Sequence, residues 1–92
     1  MSNDEKPVRW TQTHQYNLHG LKVGVMNVFE KDGAVVAQVS VWNPRTRSGN
    51  DVIVRAGEEI EVAEQRYRVV AIELAQGDVR AWVDVMQVPT LH

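Results

Sequence analysis

The chain has 92 residues, 43% hydrophobic and 24% charged, with a net charge of −2 at pH 7. This is enough for one small domain, and the acidic balance (pI near 5.9) argues against a general nucleic-acid binder, which needs a basic surface to engage phosphates. Cysteine is absent, which removes disulfides, thiol nucleophiles and zinc sites built on sulfur, and suits a cytoplasmic location.

Residues 1–7 are polar and end in proline, so a disordered N-terminal tail is expected there, with none of the basic-then-apolar run of a secretory signal. No segment approaches the roughly 18 apolar residues of a membrane span, and no membrane association is expected. A single β-domain is expected over residues 8–89, with residues 90–92 a short C-terminal tail.

Seventeen valines, most of them in alternating runs cut by glycine turns, specify strands and leave almost no room for helix. The run Val8 to Leu18 has a period of two, but Gln12 and His14 interrupt its apolar face, which marks an edge or a bent strand. Such an edge leaves room for a strand-paired homodimer. After Gly20 the apolar phase passes from Leu21, Val23 and Val25 to Met26 and Val28, a slip of one that predicts a bulge near Gly24 to Asn27. Lys31-Asp32-Gly33 reads as a tight hairpin turn. Ala34 to Trp42 is the expected central strand, with Val35, Ala37, Val39 and Val41 on one face and Val36, Gln38, Ser40 and Trp42 on the other.

Asn43 to Asp51 is the one long connection, rich in loop-formers. Short strands follow at Val52 to Arg55 and Ile60 to Val62, separated by a glycine turn. Tyr67 to Leu74 and Val79 to Val88 form a last hairpin around Ala75-Gln76-Gly77-Asp78, ended by Pro89. The expected fold is all-β: a small antiparallel β-sandwich or partly open β-barrel of about seven strands.

Catalytic chemistry finds little material. His14 and His19 lie five apart on one predicted strand and face opposite ways, with no third ligand at a useful spacing, so no metal and no cofactor are expected. No serine sits in a nucleophile elbow, and Ser40 is expected on the solvent side of its strand. Asp84 shares a face with Arg80, Trp82 and Met86, and Arg80 is expected more nearly opposite Glu73 in a cross-strand ion pair. The chain reads as a non-enzyme.

The charge map says more. Glu58, Glu59, Glu61 and Glu64 crowd one turn and its short strand, while Arg45 and Arg47 mark the long loop and Arg55 precedes the acidic turn. Charged turns protect edge strands, but segregated charge also steers a partner of opposite sign. Arg45 and Arg47, with the amides of Ser48-Gly49-Asn50, also form an expected grip for an anion. Trp82, flanked by Arg80 and Asp84, resembles an interface anchor.

The reading that follows is a non-catalytic protein-binding module of the inhibitor, immunity or assembly-adaptor type. It docks a basic protein through Glu58, Glu59, Glu61, Glu64, Arg45, Arg47 and Trp82. The competing reading is a small-molecule-binding barrel whose pocket is lined by Trp10, His14, Tyr16 and Trp42.

Overall fold

A computed structural model describes residues 7–89, so the expected tails fall almost wholly outside the described residues. Eight strands follow one another: β1 (Val8–Thr11), β2 (Gln15–Leu18), β3 (Leu21–Lys31), β4 (Ala34–Asn43), β5 (Ser48–Arg55), β6 (Glu59–Val62), β7 (Gln65–Glu73) and β8 (Trp82–Gln87). They form two antiparallel four-stranded sheets, ordered β1-β8-β7-β6 and β2-β3-β4-β5. Taken around the sandwich, the strands run in chain order from β1 to β8 and back to β1. The molecule is thus an up-and-down meander flattened into two layers, and the chain passes between layers only at β1–β2 and β5–β6.

The strand count exceeds expectation by one because the Val8 to Leu18 run breaks in its middle. Thr13 takes a left-handed φ of 75°. The turn is held by a His14 amide donating to the Thr11 carbonyl (3.2 Å) and a Gln12 amide donating to the Ala81 carbonyl (2.9 Å). Gln12 and His14 offer nothing apolar to bury, so the chain loses little by leaving one sheet for the other at this point.

The core lies between the inner faces. Val39 and Val69, from the central strands of the two sheets, are fully buried, as are Val23 and Val83 beside them. In β4 the predicted inner residues Val35, Ala37, Val39 and Val41 face the core, while Val36 on the other face is buried as well. The slip in β3 is a bulge between Val25 and Asn27. A second bulge, between Val69 and Ala71 in β7, was not anticipated. Val69-Val70-Ala71-Ile72 is apolar throughout, so a one-residue slip leaves no mark on the pattern.

Three two-residue hairpin turns have left-handed backbone at both central positions: His19-Gly20, Asp32-Gly33 and Ala63-Glu64. The first two carry glycine at the second position, as this turn type favours. The third carries two side chains that resist it.

Candidate functional site

The antiparallel meander sorts the predicted site residues between two ends. The β2–β3, β4–β5 and β6–β7 turns share one end, and a contact there joins His19 Nε2 to the Tyr67 hydroxyl at 3.1 Å. The other end holds the β1–β2, β3–β4, β5–β6 and β7–β8 connections. There Arg80 donates to Thr13 Oγ1 at 3.0 Å. Arg45, Arg47 and Glu64 therefore belong to one end, while Glu58 and the start of β8 with Trp82 belong to the other. The structure does not bring the seven together.

The acidic segment is not a bare acidic edge. In the β6–β7 pairing Glu59 lies opposite Arg68, and Glu61 opposite Arg66. Glu59 reaches Arg68 at 3.3 Å and Arg66 at 3.7 Å. Glu58 turns back on the chain, its carboxylate accepting from the Arg55 amide at 2.8 Å while its own amide donates to the Arg55 carbonyl at 3.1 Å. Arg66 and Arg68 were missed from sequence because the hairpin that opposes them to the glutamates turns on Ala63-Glu64, which carries no turn signature.

The most built feature is on the outer face of the β1-β8-β7-β6 sheet. Arg9 of β1 sits opposite Asp84 of β8 and donates to both its carboxylate oxygens, at 2.9 and 3.2 Å. The same guanidinium lies 3.7 Å from the centre of the Trp82 ring, two residues away along β8. A planar cation is thus held by a carboxylate and an aromatic face together. The hydrogen bond with Asp84 raises the guanidinium pKa above its already high ordinary value. The expected Arg80–Glu73 opposition does not form: Trp82 stands opposite Glu73, because the hairpin closes on Gly77-Asp78, with Gln76 bridged to Val79, one residue later than a turn centred on Gln76-Gly77. Beside Trp82 a shallow groove of about 210 Å³ is lined by Glu73, Leu74, Gln76 and Val79.

Of the four residues of the competing pocket reading, Trp10, Tyr16 and His14 pack on one another and Trp42 lies apart. Trp10 is 1% exposed, packed on Tyr16 (ring centres 6.4 Å apart) and Tyr67 (5.9 Å) within the core. The Tyr16 hydroxyl accepts from the Thr11 amide at 2.8 Å, and His14 stacks on the Tyr16 ring. Trp42 is 41% exposed on the outer face of the other sheet, against Gly49.

The arginine loop is a four-residue turn, Pro44 to Arg47, since β5 begins at Ser48. The Asn43 side-chain oxygen accepts from the amides of Arg45 (2.9 Å) and Thr46 (3.4 Å), and its carbonyl from Arg47 (2.8 Å). The turn's own amides are consumed internally, so an anion would meet only side chains there. Ser40 lies on the outer face of β4, as its alternation implies. Among the described residues no three of His, Asp and Glu gather as a metal ion would need, and no helix is long and apolar enough to cross a membrane.

No protein-family model matches this chain, and no match to it was found among curated proteins or solved structures.

Proposed function

We propose that the protein is a non-catalytic binding module of the inhibitor, immunity or assembly-adaptor type, and that it docks another protein on the outer face of the β1-β8-β7-β6 sheet. The observation carrying this reading is Trp82, held in place by the stacked Arg9, itself clamped by Asp84. Around it the same face presents Met86, Arg68, Arg66, Glu59 and Glu61. Tryptophan, methionine and arginine are the residues most enriched at protein interfaces. A side chain fixed before binding also loses little rotamer freedom on association.

The partner is a protein carrying both signs of charge, since Arg9, Arg66 and Arg68 alternate here with Asp84, Glu59, Glu61 and Glu73. Glu61, whose carboxylate forms no ion pair among the described residues, is the acidic group best placed to steer it. The carboxylates also disfavour a phosphate backbone on this face. Arg45 and Arg47 lie at the far end of the sandwich and are left outside the footprint.

The test is capture of a binding partner from native lysate by the purified chain, followed by titration of that partner against two variants. Trp82→Ala should weaken binding at least tenfold, the loss of a central aromatic anchor. Trp42→Ala, on the opposite sheet, should leave it unchanged. Equal affinity of wild type and Trp82→Ala would overturn the reading.

A further inference from the structure

We infer that the free edge of β5 pairs with β5 of a second copy of this chain, antiparallel, about a two-fold axis through Ile53. Three of the four sheet-edge strands, β1, β2 and β6, have four residues each, whereas β5 has eight. The half of β3 that β2 leaves uncovered is guarded by its bulge. The long unguarded edge is β5.

Which backbone groups β5 offers follows from its register. Arg55 turns both its amide and its carbonyl toward Glu58, away from β4. Asn43 and Ser48 close the hairpin on the other side. Hydrogen-bonded and non-hydrogen-bonded pairs alternate between these limits, so Gly49, Asp51 and Ile53 direct their amides and carbonyls outward, as Arg55 does. Among the described residues no turn, loop or cap backbone hydrogen bond takes up those of Gly49, Asp51 or Ile53.

The side chains of this edge select the partner. Asp51, Ile53 and Arg55 alternate along the outer face, exposed, with Val52 and Val54 directed inward. An axis through Ile53 sets Ile53 against itself and Asp51 against Arg55 of the second copy, twice. It also brings Val52 beside Val54 across the axis, so the inner face stays apolar. An axis at Asp51 or Arg55 would oppose like charges, and one at Val52 or Val54 would set a charge against Ile53. Edge strands guarded by lysine alone repel a second copy. This one carries an acid and a base spaced so that two copies neutralise each other.

In the pair, the Ile53 amides and carbonyls bond reciprocally, and the Asp51 amide donates to the Arg55 carbonyl, whose second lone pair is open. The Arg55 amide remains with Glu58, so Glu58 limits the length of the new ladder. One strand pair is a small interface, and a reversible dimer of micromolar affinity is expected.

Sedimentation velocity on the full chain over a concentration series tests this. Wild type should pass from monomer to dimer. Asp51→Arg and Arg55→Asp should each weaken self-association at least tenfold, and an equimolar mixture of these two variants should dimerise again, because every opposed pair then has opposite signs. A second measurement uses the absence of native cysteine: Ile53→Cys should give a disulfide-linked dimer on mild oxidation, since facing Cα atoms in such a pair stand about 5.5 Å apart. Asn17→Cys, on β2, should remain monomeric. A wild type that stays monomeric at millimolar concentration, or a mixture no better associated than its components, would overturn the inference.

Discussion

At the β1–β2 crossing the gap between the sheets is filled by aromatic side chains. Trp10 packs on Tyr16 and Tyr67, and the Tyr16 hydroxyl satisfies the Thr11 amide. At the β5–β6 crossing the gap is spanned by polar groups. Glu58 caps Arg55, while Gly57 donates to the Val69 carbonyl at 2.7 Å and the Val69 amide returns to the Glu58 carbonyl at 2.8 Å. The first crossing excludes water with volume. The second ties exposed backbone with hydrogen bonds that water can partly replace. The difference teaches that the two seams of a flattened meander need not cost or contribute alike: burial of a large ring outweighs a solvent-exposed hydrogen bond severalfold.

That contrast can be broken at its strong side first. Trp10→Ala should cost about 3–5 kcal/mol in urea unfolding, a large part of what so small a domain has. Trp42→Ala should cost about 1 kcal/mol, because that ring covers a cross-strand neighbour and fills no core volume. Similar losses for both would remove the distinction between plug and surface ring.

A probe away from both seams comes next. At Gly49 an added Cβ would stand 2.4 Å from the Val41 carbonyl and 3.0 Å from the Trp42 ring, so β4 and β5 would have to separate locally. Gly49→Val should therefore destabilise by about 1–3 kcal/mol, the usual cost of overpacking. A neutral result by thermal melting would mean that the edge strand yields freely.

Glu58→Ala probes the polar seam. It should cost about 1 kcal/mol and speed amide exchange at Arg55 more than at Val54, which is bonded within the sheet. A loss as large as that of Trp10→Ala would equate the seams. The smallest effect is a gain: Ala63→Asn with Glu64→Gly should add about 0.5–1 kcal/mol, since both positions are left-handed and neither native residue favours that backbone. No gain in melting temperature would mean the turn is not strained.

A triple exchange of Glu58, Glu59 and Glu61 to lysine is a poor probe of binding for the same structural reasons. It removes a seam cap and two ion pairs along with surface charge. Glu61→Lys alone changes the sign of the face and leaves the seam intact. It should weaken partner binding by less than Trp82→Ala does, and the loss should shrink as salt rises.

Much of the architecture was legible where one face is buried and the other wet. β4 shows this: Val35, Ala37, Val39 and Val41 pack on the core while Gln38 and Ser40 face outward, with the buried Val36 the exception, and the β3 bulge is visible as a slip in that strand's alternation. Legibility failed where both faces of a slip are apolar, as at Val69 to Ile72, and where a turn lacks its usual residues, as at Ala63-Glu64. Of the candidate site, Trp82 and the glutamates could be singled out by type. Arg9, 75 positions away from Asp84, could not be assigned to it.

The sequence by itself determined an all-β chain with a valine core, the positions of most turns and the lack of any recognisable catalytic motif, because these depend on local backbone preference and period. Only the tertiary structure decided that Trp10 belongs to the core and Trp42 to an outer face, that Arg66 and Arg68 offset the acidic turn, and that Arg9 meets Asp84 and Trp82. Each of these rests on strand register and sheet order, and pairing between distant strands is set by the packing of the whole core rather than by any segment's own preference.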